Sequence, residues 1–190
     1  MQNLWENARI YKLNKEQGRC TSSSYPNSEE AFKQSADYEK SLDGEWAFNY
    51  SPKPAKRPLS FHQPDYDTSQ WDTIPVPANW EVEGYGVPVY APFHMPKSLR
   101  KRNMPNIDPE NNPVGSYRRT FTVAETWAGR EIFIQFGGVC SAFFLWINGE
   151  QVGYSQGSML PAEFRLTPYL KEGENVLAVE VYRWSDGSYL

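Results

Sequence analysis

The clearest pattern in the chain lies in residues 140–154, which read CSAFFLWINGEQVGY. Residues 140–147 are almost entirely apolar, which is typical of a β-strand that is covered on both faces. Asn148 and Gly149 follow, and these two residue types tolerate the positive φ angles of a type I′ turn. We therefore predict a β-hairpin in which residues 151–154 run back antiparallel to the first strand.

Four further segments alternate apolar and polar residues, as half-buried strands do. They are residues 45–50, 117–123, 132–136 and 177–182. The second and third are separated by a turn near Ala128 and Gly129, and another turn precedes the last. Several short strands joined by turns, with no long helical pattern, predict an all-β protein built as an antiparallel β-sandwich.

The other segments lack a central-strand pattern. Residues 1–40 are polar, with a possible short helix only at residues 29–34, so we interpret 1–40 as an amino-terminal arm and 41–190 as the β-sandwich domain. Residues 74–77, IPVP, are too rich in proline for a central strand and suit a loop or an edge strand. Prolines 92, 96, 105, 109 and 113 predict a long surface loop between residues 91 and 114, which is either functional or a solvated insertion.

The composition excludes several classes of partner. The 190 residues carry a formal net charge of −4 and only two histidines, which gives no electrostatic reason to bind nucleic acid or an anionic membrane. No apolar run approaches the roughly 18 residues of a membrane span, and the first residues lack a secretory signal pattern, so we expect a soluble chain, either cytoplasmic or periplasmic. Cys20 and Cys140 have no metal-type spacing, and we expect two free thiols, with one disulfide open if the protein is exported.

Motifs for catalysis are weak in this sequence. Residues 153–157, GYSQG, match the Gly-x-Ser-x-Gly pattern of hydrolases, but that pattern needs a following helix and a later general-base histidine, and the last histidine is His94. No pair of carboxylates can be assigned from spacing to the geometry that glycoside hydrolysis requires, so we predict no catalytic residue. The 7 Trp, 12 Tyr and 10 Phe residues provide rings that either bind sugar faces or form the core.

Eight short motifs span nearly the whole chain: WEN at 5–7, SLDGEW at 41–46, VPANW at 76–80, ENNPVGSY at 110–117, WING at 146–149, VGYSQ at 152–156, LPAEF at 160–164 and RWSDGSYL at 183–190. In this order they resemble the amino-terminal sugar-binding domain of glycoside hydrolase family 2, specifically of the long β-galactosidases. The last motif favours that branch over the β-glucuronidases and β-mannosidases.

The resemblance implies a jelly-roll sandwich of the galactose-binding type, truncated at its carboxyl end relative to the family. It also implies a much larger enzyme that hydrolyses terminal β-D-galactosides with retention, using two Glu residues on a later (β/α)8 barrel. This chain would then be a non-catalytic piece that supports the barrel, closes one side of the sugar pocket and is inactive alone. The family further implies Mg²⁺ and Na⁺ in the full-length enzyme, where we expect the rest of the enzyme and not this chain to hold them, and a homo-oligomer.

Five residues are candidates for binding the galactoside. Tyr90, Pro92 and Phe93 stand where the family loop approaches the sugar, although Pro92 replaces an Asn whose amide hydrogen bond proline cannot make. Asn79 and Asp186 are further candidates. Asn79 could instead tie down loop backbone, and Asp186 could simply form a turn.

Two other functions remain open from the sequence. One is a stand-alone carbohydrate-binding module, which would show measurable sugar affinity as an isolated domain. The other is an assembly domain whose arm docks on neighbouring subunits, which truncation of the arm would reveal as a change in assembly.

Overall fold

A computed structural model describes residues 3–20, 22–34, 38–89 and 107–189. The elements are β1 (Lys12–Leu13), α1 (Ser28–Lys33), β2 (Gly44–Ser51), β3 (Asp72–Val76), β4 (Val114–Thr122), β5 (Phe133–Phe136), β6 (Val139–Ile147), β7 (Glu150–Ser158), β8 (Ala162–Arg165) and β9 (Glu174–Tyr182). Short 3₁₀ turns lie between them. Within those ranges, none of the helices has the length and apolar character that a membrane crossing requires.

The strands form two antiparallel sheets. The main sheet has seven strands in the order β1-β7-β6-β9-β4-β2-β3, and the small sheet pairs β5 with β8. The prediction of an all-β antiparallel sandwich is therefore confirmed. Strand β1 is absent from the predicted set because its two residues are too few to show a period. Strand β8 is also absent from that set, although its four residues alternate apolar and polar side chains.

The predicted hairpin is confirmed. Ile147 of β6 pairs with Glu150 of β7, and the turn residues Asn148 and Gly149 have φ angles of 53° and 89°. The side chain of Asn148 also donates to the carbonyl of Tyr169 at 2.9 Å and accepts from the backbone N–H of Val176. The turn is therefore fixed to the adjacent strand β9 as well as by its own geometry.

The proline-rich segment forms an edge, as predicted. Strand β3 pairs only with β2 at the end of the main sheet, where Pro75 lies opposite Glu45 and needs no outward hydrogen bond. Strand β4 begins at Val114, earlier than predicted, because this fully buried side chain pairs with Tyr182. Most of the predicted long loop, residues 90–106, lies outside the described residues.

The inner face of the main sheet, which faces the small sheet, carries the larger core. Alternate residues of β6 and β9 point to this face and meet β5 and β8, and the rings of Phe143 and Phe164 pack edge to face at 5.8 Å. The buried members of this core are Trp46, Phe48, Ile74, Trp80, Ile134, Phe143, Leu145, Ile147, Val152, Ala162, Phe164, Leu166, Leu177, Val179 and Val181.

The outer face of the main sheet is covered by loop 52–71 and by the arm. Trp5 of the arm stacks on Tyr182 with ring centroids 4.0 Å apart, and Phe61 of the loop is almost fully buried. The guanidinium of Arg118 donates to three loop carbonyls, those of Phe61, Gln63 and Pro64, at 2.6–2.9 Å. This face is therefore sealed by both apolar and polar contacts.

The arm is packed on the domain at several points. Strand β1 pairs with β7 at the edge of the main sheet, and the backbone N–H of Glu16 donates to the carbonyl of Glu163 in the small sheet. A side chain at Gly153 would come within 2.6 Å of the Leu13 carbonyl, so a glycine is needed where the arm crosses β7. The short helix predicted in the arm is confirmed as α1, with Asn27 accepting from Glu30 as the N-cap.

Candidate functional site

A groove of about 1740 Å³ opens on the inner face of the main sheet, beside the small sheet. Its floor is formed by Tyr117 of β4 and by Val179 and Val181 of β9. One wall includes the start of segment 77–89, which follows the edge strand β3, and the other includes residues 136–141 between and within β5 and β6. The groove therefore lies where the small sheet leaves part of the main sheet uncovered.

Aromatic rings line this groove. Trp80 is largely buried and packs near Phe48 and Tyr50, with ring centroids 6.4 and 5.9 Å away. Its ring lies so close to β4 that a side chain at Gly115 would come within 2.5 Å of it. Tyr117 contributes a second ring, and Trp184 lines the groove after the end of β9. Such rings can pack against the C–H faces of a sugar.

Polar side chains stand at the same end of the groove. Asn79 is exposed, and its backbone carbonyl accepts from the N–H of Val82. Glu81 forms an ion pair with Arg183, with the carboxylate Oε1 3.3 Å from Nη2. Burial raises the pKa of Tyr117, and the negative charge of Glu81 adds to that shift, so this hydroxyl stays protonated. The groove thus offers amide, carboxylate, guanidinium and phenol groups as hydrogen-bond partners.

Asp186 does not line this groove, although Trp184 and Ser188 on either side of it do. It begins a 3₁₀ turn after β9 and is buried, and neither of its carboxylate oxygens nor Oε1 of Gln156 has a hydrogen bond of ordinary geometry. Burial raises the pKa of Asp186, while the nearby Gln156 side chain and the backbone N–H groups of Asp186 and Gly187 partly oppose that shift. Its negative charge in turn contributes to the raised pKa of the buried Tyr154.

The structure therefore separates the predicted site residues. Asn79 lines the groove, Asp186 does not, and Tyr90, Pro92 and Phe93 lie outside the described residues. Sequence reasoning missed the ion pair of Glu81 with Arg183, because these residues are far apart in the chain and no local pattern links them. The Gly-x-Ser-x-Gly match is buried within strand β7 and has no following helix, so it is not a nucleophile elbow.

Cys20 and Cys140 are both free and exposed, which agrees with the prediction of two thiols. Among the described residues, no group of three or more His, Cys, Asp or Glu side chains is placed to hold a metal ion.

Comparison with curated proteins gives close relatives along the whole chain. The chain is 43% identical to a β-galactosidase of Priestia megaterium over 188 residues, covering 97% of the chain and 18% of that protein. It is 44% identical to a β-galactosidase of Vibrio cholerae over 186 residues, covering 98% of the chain and again 18% of that protein. The chain thus spans less than a fifth of the length of these relatives.

Solved structures share the fold at low sequence identity. A β-glucuronidase of Bacteroides uniformis superimposes with a TM-score of 0.56 at 21% identity, covering 76% of this chain and 14% of that one. An uncultured Clostridium β-glucuronidase gives a TM-score of 0.53 at 23% identity, covering 75% and 21%. A family model described as "Glycosyl hydrolases family 2, sugar binding domain" matches residues 39–190. The chain therefore belongs to family 2 of the glycosyl hydrolases, as their sugar-binding domain.

Proposed function

We propose that this chain forms one side of the sugar pocket of a larger β-galactosidase, which hydrolyses terminal β-D-galactosides with retention. The observation that carries this proposal is the groove, where the rings of Trp80, Tyr117 and Trp184 lie beside the polar groups of Asn79 and Glu81. Binding sites for sugars combine apolar faces with a few polar groups in this way. The choice of galactosides is supported by the names of the relatives that are 43% and 44% identical.

The chemistry of the groove supports a non-catalytic role for the chain. A retaining glycosidase needs two carboxyl groups about 5–5.5 Å apart, one of which must hold a proton. Five carboxylates line the groove among the described residues, and three of them, Glu81, Glu131 and Glu163, are each ion-paired with an arginine. The hydrogen bond from Arg165 holds the pKa of Glu131 below its usual range, which disfavours a general acid there. We infer that the catalytic pair lies on the absent (β/α)8 barrel and that the chain alone is inactive.

The family also implies Mg²⁺ and Na⁺ in the full-length enzyme. Among the described residues, no group of three or more His, Cys, Asp or Glu side chains is placed to hold such an ion. The buried Asp186 carboxylate is not part of such a group, and it has the Gln156 side chain and backbone N–H groups near it. We therefore expect the ligands of both ions to come from the rest of the enzyme.

The parent enzyme is also expected to be a homo-oligomer. The described part of the arm packs on its own domain through Trp5 and β1. These contacts of the arm therefore stabilise the fold of a single subunit. An assembly role would add to that packing, and light scattering on the full-length protein with and without the arm would reveal it.

The proposal is tested by expressing the reading frame through and beyond Leu190 and assaying chromogenic β-galactoside, β-glucuronide and β-mannoside substrates. We expect the full-length protein to cleave the β-galactoside and the 190-residue chain to cleave none. A full-length protein that prefers the glucuronide or the mannoside would contradict the proposal. A second test is calorimetric titration of the 190-residue chain with galactosides. Clear affinity of the isolated chain for a galactoside would favour a stand-alone binding module.

A further inference from the structure

We propose that Arg183 is a positioning residue that holds segment 77–89 against the end of β9 and so sets the width of the groove. The inference rests on the proposed function, because it assigns the groove to a sugar. Arg183 does not need to touch the sugar for this role. Arg183 itself lines the groove, but in this role it acts through the residues of the segment, which line the groove as well.

The contacts of Arg183 have the form of a clamp. Its Nη2 donates to the carbonyl oxygen of Val87 at 2.9 Å and lies 3.3 Å from the carboxylate of Glu81. The two bonds therefore reach points six residues apart on one segment. Both charged side chains are mostly buried, with 15% and 19% of their surfaces exposed, so solvent screens this pair less than an ordinary surface pair.

Arg183 is itself fixed by contacts of its backbone and of its guanidinium. The backbone N–H of Arg183 donates to the carbonyl of Pro113 at 3.0 Å, and its guanidinium lies 5.3 Å from the ring centre of Trp184. Arg183 directly follows β9, which has β4 and β6 on either side in the middle of the main sheet. The guanidinium thus projects from one of the most firmly embedded strands toward the groove.

In the described part of the chain, Arg183 makes the ion pair and the backbone hydrogen bond that join the clamped segment to the end of β9. Val82, Val87 and Val89 are 80%, 70% and 48% exposed, and the N–H groups of Val82 and Tyr85 bond within the segment to Asn79 and Trp80. These bonds shape the segment but do not attach it to the sheet. Among the described residues, attachment comes from the rings of Trp80 and Tyr85 against Phe48 and Tyr50. The contact of the Tyr85 hydroxyl with Asp72 of β3 and the bonds of Arg183 add to this attachment.

Loss of the clamp would therefore let the segment move away from β9 while the sheet stays intact. Asn79, Trp80 and Glu81 would move with it, and they form one end of the groove. A lysine at position 183 keeps the charge opposite Glu81, but its ammonium lies nearer the backbone than the arginine Nη2 that makes both contacts, so it reaches them less well. An uncharged glutamine loses the ion pair and shortens the reach.

Arg118 provides a matched control. It also donates from its guanidinium to loop carbonyls, but its loop, residues 61–64, covers the outer face of the main sheet. Neither Arg118 nor these loop residues line the groove. The Arg118→Gln variant should therefore cost at least as much stability as Arg183→Gln while leaving the groove unchanged.

The first experiment compares amide hydrogen exchange in full-length wild type, Arg183→Gln, Arg183→Lys and Arg118→Gln. We expect exchange in segment 77–89 to be about tenfold faster in Arg183→Gln, with Arg183→Lys in between, and faster exchange only in loop 52–71 for Arg118→Gln. Unchanged exchange in segment 77–89 of both Arg183 variants would overturn the clamp. If Arg183→Gln does not fold, Arg183→Lys decides the outcome.

The second experiment measures kcat and KM of the same proteins on a chromogenic β-galactoside. We expect KM to rise about 10- to 100-fold in Arg183→Gln with little change in kcat, because misplaced binding groups weaken ground state and transition state alike. Arg183→Lys should recover part of the loss, and Arg118→Gln should keep the wild-type KM. Equal KM in wild type and Arg183→Gln, or an equal rise in Arg118→Gln, would overturn the positioning role. A wild-type enzyme that is inactive on β-galactosides would instead refute the proposed function. The hydrogen-exchange experiment would then be the test of whether Arg183 holds segment 77–89.

Discussion

The two faces of the main sheet are covered in different ways. On the outer face, loop 52–71 and the arm fill the surface with packed rings and with the buried Arg118 guanidinium. On the inner face, the small sheet covers only part of the strands, and segment 77–89 borders an open groove. The valines of that segment are up to 80% exposed. The comparison indicates that the outer face is covered by packed side chains, whereas the inner face combines the larger core with an open binding surface beside it. Substitutions on the two faces should therefore have separable effects.

The largest effect is expected at the arm, on the outer face. Replacing Trp5 with Ala removes a buried ring that stacks on Tyr182 and meets Phe144 edge to face. Truncation of a buried Trp typically costs about 3–5 kcal/mol, so we expect a loss of that size in the free energy of unfolding, measured by urea denaturation. Phe32→Ala is the control, because Phe32 lies in α1 of the same arm but is 90% exposed and should change stability by less than about 0.5 kcal/mol. Equal losses in the two variants would show that Trp5 does not anchor the arm.

The next effect is expected at Arg118. Its replacement by Gln leaves three loop carbonyls without their charged donor at a site where the side chain is almost fully buried. Unsatisfied buried groups cost about 1–3 kcal/mol, and we expect a loss in the upper part of that range by urea denaturation. Arg119→Gln is the comparison on the inner face, where the guanidinium donates to the carbonyls of Leu42 and Asp43 in more exposed surroundings. A larger loss for Arg119→Gln would reverse the proposed difference between the faces.

The outer face also contains a buried acid, Glu180. Burial raises its pKa, while the hydroxyl of Tyr182, 2.7 Å away, and the guanidinium of Arg57, at 3.3 Å, partly oppose the shift. A raised pKa in the folded state favours the protonated acid, so its stabilising contribution is complete below the pKa of the unfolded chain. That contribution is lost as the pH rises through the pKa of the folded state.

Glu180→Gln tests this pH dependence, because glutamine resembles the protonated acid and does not titrate. We expect the stability of the variant relative to wild type to increase as the pH is raised from 4 to 7, measured by urea denaturation at each pH. Each pKa unit of difference between folded and unfolded states corresponds to about 1.4 kcal/mol. A relative stability that falls over this range would mean that Arg57 outweighs burial and that Glu180 is held ionised.

The same comparison explains which features were predictable from sequence. The β6–β7 hairpin and the edge strand β3 were predictable because Asn148, Gly149 and Pro75 restrict their own backbone. The site was less predictable because its groups come together through tertiary packing. Glu81 and Arg183 meet across the end of β9, and Asp186 lies near Gln156 and Tyr154 of β7. No spacing in the sequence encodes such contacts.

The smallest effect on stability, and the clearest test of the inner face, is expected at Asn79. Its side chain is exposed at the groove, so Asn79→Ala should change the free energy of unfolding by less than about 0.5 kcal/mol. If the amide binds a sugar hydroxyl, loss of one hydrogen bond should raise KM for a β-galactoside about two- to tenfold in the full-length enzyme. Asn111→Ala is the control, since Asn111 is also exposed but does not line the groove, and its KM should equal that of wild type. An Asn79 variant that loses stability without a change in KM would assign this residue to tying down the segment backbone, and the sugar contacts would then have to come from other groups of the groove.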